Sequence, residues 1–302
     1  KDCGITCTKT ADKDNICKDK NTPVKYTYTV TNTGNYFAAS GTLVDDNGTS
    51  PTADDVSYTY TGLAAGQTQT FTQNTNLNDG RINTLTVTGN SGKNGITVLT
   101  PCTKQFTITA YPCTITITKK PDPARDTVCN TYSTDVPYTY VVTNTGTFFG
   151  VSGTIKDDNG TPGNLSDDVD VGSWGPLAPG ASSPEIKKSF AVTGTRTNIA
   201  TATGTFTDKA ASQGTATATA TVVGVNCSMS CDKTADKTDV CKNQNTPVTY
   251  TYTVKNTGDY FWLSGIIVDD NGGGTPFTLS YGPLAPGASA TLSQPNVPVN
   301  DN

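Results

Sequence analysis

The residues of this 302-residue chain best suited to chemistry are its paired aspartates. Asp45-Asp46-Asn47-Gly48 is followed by Asp54-Asp55, and Asp157-Asp158-Asn159-Gly160 by Asp167-Asp168 and Asp170. Asp269-Asp270-Asn271-Gly272 has no second pair. Carboxylates and an Asn carbonyl beside a Gly turn are the hard oxygen donors that calcium takes, roughly six to eight at a time. Asp45, Asp46, Asn47, Asp54, Asp55, Asp157, Asp158, Asn159, Asp167 and Asp168 are therefore the candidate calcium ligands. The third loop is the poorer candidate. An EF-hand is excluded, because the DxDxDG spacing and its terminal Glu are missing. The plain alternative is a solvated Asx turn between strands, where Asp, Asn and Gly are favoured anyway. Neither reading requires a cofactor.

Lysines recur as well. Lys9, Lys119 and Lys233 stand near the start of each repeat described below, and Asn83 and Asn198 stand late in the first two. Such pairs evoke the intramolecular Lys–Asn crosslinks of some surface sandwiches. Those need a buried carboxylate beside the pair, and Glu185 is the one glutamate in the chain. The plain reading is surface lysines. Histidine is absent, which removes the commonest general base and nitrogen ligand. No enzyme is expected, and no catalytic residue is assigned. Net charge is −5 without a Lys/Arg cluster, so nucleic acid is not an expected partner. No apolar run approaches the roughly 18–20 residues that span a bilayer.

The nine cysteines are Cys3, Cys7, Cys17, Cys102, Cys113, Cys129, Cys227, Cys231 and Cys241. Aligned by the repeat, Cys3, Cys113 and Cys227 are equivalent, as are Cys17, Cys129 and Cys241. The second repeat has only that pair, so Cys113–Cys129 is the economical bridge, and Cys3–Cys17 and Cys227–Cys241 follow. Cys7 and Cys102 vanish together from the second repeat, as a Cys7–Cys102 bridge would. The alternative, Cys7–Cys17, would strand Cys129. Cys3–Cys7 is out of reach, since four residues of strand separate the Cα atoms by roughly 13 Å. Cys231 would pair with a tenth cysteine beyond residue 302. Zinc is disfavoured for want of CxxC or His partners. A framework of this kind persists in an oxidising compartment, so an extracellular or cell-surface location is expected.

The elements that must position these residues come from a stretch that occurs three times. It reads NTPVKYTYTVTNTGNYFAASGTLVDDNG at 21–48, STDVPYTYVVTNTGTFFGVSGTIKDDNG at 133–160 and NTPVTYTYTVKNTGDYFWLSGIIVDDNG at 245–272. The even spacing means tandem whole domains rather than a solenoid of small units. Tyr26, Tyr28 and Val30 alternate with Thr27, Thr29 and Thr31, the period of a half-buried strand. Asn-Thr-Gly then makes a turn. About seven strands per repeat, separated by Gly/Pro turns and with no helical periodicity, predict tandem immunoglobulin-like β-sandwich domains of the all-β class. The domains are 1–110, 111–224 and 225–302, the third incomplete and lacking its last strands. Asn300-Asp301-Asn302 aligns with Asn76-Leu77-Asn78-Asp79 of the first. Either the natural protein continues, or a neighbouring subunit completes the sandwich by strand addition. The alternating GTATATATVV at 214–223 reads as a final strand with small inward residues. Short seams at Ala110-Tyr111-Pro112 and Val223-Gly224-Val225-Asn226 predict stiff end-to-end stacking. The opening Lys1-Asp2-Cys3 carries no charged-then-apolar leader, as expected of a mature chain or of a segment of a longer one.

Two further features lie on these elements. Aromatic pairs follow the turn at Tyr36-Phe37, Phe148-Phe149 and Tyr260-Phe261-Trp262, and adjacent strand residues should put one ring in the core and one outside. Asn47, Asn159, Asn164 and Asn226 begin N-x-S/T sequons, candidate glycosylation sites outside the cell.

YTYTVTNTG, VDDNG, GPLAPGAS and TNIATATG, in that order, resemble the conserved repeat domain of bacterial and archaeal surface proteins catalogued as domain of unknown function eleven. The resemblance spans nearly all of each repeat. It implies sandwiches strung in tandem in cell-wall proteins, adhesins and extracellular fibres, and no catalytic residues. The cysteine framework departs from most members and suits harsh conditions or mechanical load. The expected function is a structural segment of an extracellular filament or surface appendage. Its partners would be further subunits or neighbouring repeats of the same chain. A stalk of a surface adhesin and a carbohydrate-binding accessory module are the alternatives.

Overall fold

The structure, a computed structural model, describes residues 1–50 and 52–300. Asp301 and Asn302 of the aligned C-terminal stretch lie outside the described residues. Strands follow the alternation that the sequence predicts. The first module has β1 (Ile5–Ala11), β2 (Asn15–Cys17), β3 (Thr22–Asn32), β4 (Ala39–Asp45), β5 (Val56–Leu63), β6 (Thr68–Leu77), β7 (Arg81–Ser91), β8 (Thr97–Val98) and β9 (Cys102–Tyr111). The second has β10 (Ile115–Pro121), β11 (Thr127–Cys129), β12 (Thr134–Asn144), β13 (Val151–Asp157), β14 (Val169–Leu177), β15 (Ile186–Val192), β16 (Arg196–Phe206) and β17 (Gln213–Val225). The third has β18 (Met229–Ala235), β19 (Thr246–Asn256), β20 (Leu263–Asp269), β21 (Phe277–Leu284) and β22 (Ser289–Val299).

Each complete module is a sandwich of two sheets. In the first they run β1-β3-β6 and β2-β9-β7-β4-β5, with β8 on β7; in the second, β10-β12-β15 and β11-β17-β16-β13-β14. All pairs are antiparallel except β2 with β9 and β11 with β17. Val24, Tyr26, Tyr28 and Val30 of β3 are buried between the sheets, as period-two alternation requires. Threonines form hydroxyl pairs across the outer faces, Thr8 with Thr29 at 2.6 Å and Thr31 with Thr68 at 2.7 Å. Such pairs explain how a Thr-rich chain with few charges holds its wet faces together. The Thr/Ala segment is strand β17, with Gly214 and Ala220 buried and Ala216 and Ala218 half-buried.

The third module is thinner. Its sheets are β18-β19-β22 and β20-β21, and its buried cluster is reduced to Val254, Tyr281 and Leu284. Among the described residues no strand matches β7 or β9, and β20 is paired on one side only. The aromatic expectation holds in the second module, whereas in the first Tyr36 is exposed and Phe37 only half-buried. Phe149 is buried, while Phe148 faces outward and stacks on Tyr111 at 4.2 Å. In the third module Tyr260, Phe261 and Trp262 are all exposed.

The disulfides correct the expected pairing. Cys7–Cys102 joins β1 to β9 as the sequence predicts, with Cα atoms 5.9 Å apart. The other two bonds are Cys17–Cys113 and Cys129–Cys227, so they cross the seams instead of closing Cys3–Cys17, Cys113–Cys129 and Cys227–Cys241. Translational symmetry is the reason. A bridge inside each repeat and a bridge from each repeat to the next use the same two cysteine classes, and only geometry separates them. β2 runs parallel to the end of β9 and brings Cys17 opposite Tyr111, two residues before Cys113. Cys3, Cys231 and Cys241 are unpaired among the described residues. Each seam is tightened by a backbone bond, from Lys18 N–H to Tyr111 O (2.8 Å) and from Asn130 N–H to Val225 O (2.8 Å).

Candidate functional site

The acidic loop divides its residues between core and surface. Asn47 and Gly48 both take left-handed backbone, with φ of 50° and 68°, and Asn159 with Gly160 and Asn271 with Gly272 do the same. Asn and Gly are the residues that tolerate this conformation. The turn sends Asp45 inward at the end of β4, where it is fully buried. Its Oδ1 accepts from Asn47 N–H at 2.9 Å. Asp46 Oδ1 accepts from Gly48 N–H (2.8 Å) and Thr84 N–H (2.7 Å), tying the loop to β7. Asp158 does so with Gly160 and Ile199.

Of the calcium candidates, Asp54 accepts from the Thr49 hydroxyl at 2.7 Å and from Asn47 Nδ2 at 3.4 Å. The Thr49 bond is the main cause that holds its carboxyl below the ordinary value. Asp167 accepts from the Thr161 hydroxyl at 2.8 Å. Asp55 and Asp168 are half-buried, and Asp170 is exposed. Asp45 and Asp157 are turned away from these outward carboxylates. Among the described residues no three His, Cys, Asp or Glu side chains gather as a metal-binding group would. The hydrogen bonds of an Asx turn are all in place.

What the buried aspartates face is a lysine. Lys9 on β1 and Asp45 on β4 belong to opposite sheets, and their side chains are completely buried with Nζ 2.7 Å from Oδ2. Lys119 stands 2.7 Å from Asp157 Oδ2 in the same burial. The expectation of surface lysines fails for both, and the missing carboxylate is supplied by Asp rather than Glu. Glu185 is exposed and pairs with Lys187, at 3.4 Å. Burial lowers the Lys9 and Lys119 amines below the ordinary lysine value, overriding the raising effect of their aspartates. Tyrosines wall the pair. The Tyr140 hydroxyl donates to Asp157 Oδ2 at 2.6 Å, and Tyr28 donates to Gln73 at 2.6 Å. Burial first, and the adjacent aspartate next, push both hydroxyls far up, so they stay protonated.

Asn83 completes the arrangement. The register sets Asp45 opposite Leu85 of β7, and Asn83 is the next residue on that inward face. It is fully buried, yet neither its carboxamide nitrogen nor its oxygen has a hydrogen-bond partner. The adjacent Tyr26 hydroxyl is close enough to Asn83 for the carboxamide to oppose, in part, the upward push of burial on its pKa, yet the two do not meet in hydrogen-bond geometry. The second module repeats the pattern: Asn198, two residues before Ala200 opposite Asp157, is buried with Oδ1 unpartnered. In the third module Lys233 contacts Asp269 at 2.5 Å but is 44% exposed.

Another buried asparagine was hidden in the turn motif. Asn32 Nδ2 donates to Phe37 O (2.9 Å) and Leu63 O (2.8 Å), and its Oδ1 accepts from Gly34 N–H (2.9 Å). Asn144 and Asn256 make the same three bonds. The threefold recurrence of Asn-Thr-Gly was the signal, but nothing local distinguishes a turn residue from a corner brace. Of the sequon asparagines, Asn47 and Asn159 are partly buried in the acidic turns, whereas Asn164 and Asn226 are exposed. Asn226 Nδ2 donates to Ser228 and Thr257 O at 3.0 Å each. No helix among the described residues is long and apolar enough to cross a membrane.

No family model matches the chain, and no curated protein does. Among solved structures, it is similar at 13% identity to a tetra-tandem repeat in the extending region of a large adhesion protein, with a TM-score of 0.26 over 98% of this chain and 66% of that one. It is also similar at 12% identity to red sea bream transglutaminase, with a TM-score of 0.24 over 72% of this chain. The chain spans 31% of the transglutaminase's length.

Proposed function

We propose that this chain is a load-bearing structural segment of an extracellular filament or surface appendage. The observation that carries the reading is the path of covalent bonds. Tension on the chain ends passes from Cys17 through sulfur to Cys113, then from Cys129 through sulfur to Cys227. Residues 18–112 and 130–226 hang off that path as closed loops and need not unfold when the chain is pulled. Such wiring suits a strut, because it shortens the covalent path between the chain ends. The oxidising location follows from the same bonds, and the resemblance to surface-protein repeats agrees with it.

Electron microscopy of the oxidised protein tests the reading. Straight rods of fixed length, or regular polymers, are the expected result, with the rods alone pointing to an adhesin stalk. Modules that sample random angles at the seams would overturn it. Strong binding of a glycan array by these residues would favour the accessory-module reading instead.

A further inference from the structure

The buried Lys9, Asp45 and Asn83 have no evident use as a salt bridge. An ion pair in a dry core loses more hydration than its attraction restores unless every remaining polar site is satisfied. Here the Asn83 carboxamide beside it is buried without any partner, an arrangement that costs about 1–3 kcal/mol for each stranded polar group. The second module repeats the expense with Lys119, Asp157 and Asn198. Amine, carboxyl and carboxamide are together the reactants and the acid–base catalyst of an amide-forming reaction.

We infer that each complete module carries a self-forming isopeptide bond, Lys9 to Asn83 in the first and Lys119 to Asn198 in the second, with Asp45 and Asp157 as the catalytic carboxyls. The ion pair first passes a proton from Nζ to the aspartate, leaving a neutral amine. Burial assists this step on the lysine side, because it disfavours the ammonium. The Nζ lone pair attacks Asn83 Cγ while the protonated Asp45 donates to the carboxamide oxygen. The new C–N bond forms, the surplus proton on Nζ moves by way of Asp45 to the departing nitrogen, and the old C–N bond breaks. Ammonia leaves, takes up the remaining proton as ammonium, and Asp45 is a carboxylate again. No oxidant or cofactor enters the balance.

The bond would staple β1 of one sheet to β7 of the other. It differs in kind from Cys7–Cys102, because no reductant opens it. In the third module the equivalent pair, Lys233 and Asp269, is not sealed in the core, since the Lys233 side chain is 44% exposed.

Intact mass after full reduction tests the proposal without reference to the filament reading. The wild-type chain should weigh less than its sequence by two molecules of ammonia. Tryptic digestion should yield branched peptides joining Lys9 to Asn83 and Lys119 to Asn198. Asp45→Asn, which keeps the side chain's size, should restore one ammonia with the Lys119–Asn198 bond intact. Asn83→Asp, if it reacts, should lose water in place of ammonia. A full-mass wild-type chain with a native far-UV spectrum would overturn the inference. So would a branched peptide persisting in Asp45→Asn, which would remove the aspartate from its role.

Discussion

Cys17 and Cys113 are bonded across the boundary between the first two modules, their Cα atoms 5.5 Å apart and 96 residues distant in sequence. A chain pulled from its ends is therefore loaded only where the sulfur path leaves it. Single-molecule extension should show the consequence directly. With the bonds oxidised, the segments inside Cys17–Cys113 and Cys129–Cys227 should release no length at any force below covalent rupture. After reduction each seam should free roughly 315–350 Å, at about 3.3–3.6 Å per residue, if sulfur alone closes these loops, but only about 60–80 Å if Lys9–Asn83 and Lys119–Asn198 are joined by bonds that reduction leaves intact. Equal extension before and after reduction would show that the sulfur atoms are not on the load path.

Removing one seam bond should also be costly to fold stability. Because Cys7–Cys102 already spans most of this stretch, the bond from Cys17 to Cys113 closes only about 20 further residues and is worth roughly 3 kcal/mol by the chain-entropy argument. Cys17→Ser with Cys113→Ser should lower the denaturant midpoint of the first module more than that of the third. A midpoint unchanged within error would mean that β2 and the backbone bond from Lys18 to Tyr111 hold the seam unaided.

The corner asparagines should behave as structural keystones. Asn144 satisfies two carbonyls and one N–H with a single buried carboxamide. Asn144→Leu has a similar volume but strands all three, at about 1–3 kcal/mol for each group. Destabilisation of at least ~3 kcal/mol in urea is expected, with the m-value unchanged. A loss below ~1 kcal/mol would show that water replaces the carboxamide.

The legible part of this protein was its periodicity. Alternation in Tyr26-Thr27-Tyr28-Thr29-Val30 identifies β3 because one face of a sheet is buried and the other is wet. The Thr/Ala run of β17 is readable for the same reason. Pairing between equivalent cysteines was not readable, since a repeated sequence is unchanged by a shift of one module. The carboxylate beside Lys9 was also obscured. Asp45 sits in a run that a solvated turn explains fully, and only the register of β4 with β7 turns it inward beside Asn83. Fold class is a statistical property of many residues, whereas the site depends on the facing of three.

Calcium should matter little to these loops as they are wired. Asp46 and Asp158 each spend Oδ1 on two backbone N–H donors, and Asp45 and Asp157 lie inside against lysines. Prolonged chelation with EGTA should leave the Tm of the oxidised protein unchanged, and millimolar calcium should not raise it. A calcium-dependent rise would mean that Asp54 and Asp55, or Asp167 and Asp168, rearrange around the ion. By contrast, Asp158→Ala should cost about 1–3 kcal/mol by releasing the tie to β16.

The third module should show the charge chemistry of the same lysine–aspartate pair where it is partly open to water. At Asp269 burial pushes the carboxyl pKa upward, but the Lys233 ammonium, the Tyr252 hydroxyl and Asn271 N–H outweigh it and hold the value at about 2, below the ordinary 3.8. The folded pKa is depressed, so the folded state binds protons less readily than the unfolded one. The stabilisation from this pair is then fully present above pH 3.8 and is lost as pH falls toward 2. A carboxyl-detected NMR titration should place the Asp269 midpoint near that lower limit, and Lys233→Met should move it up. Hydrogen exchange in β19 and β20 should quicken over the same interval. An Asp269 that titrates at 3.8 or higher in the folded chain would show that the ion pair does not hold in solution.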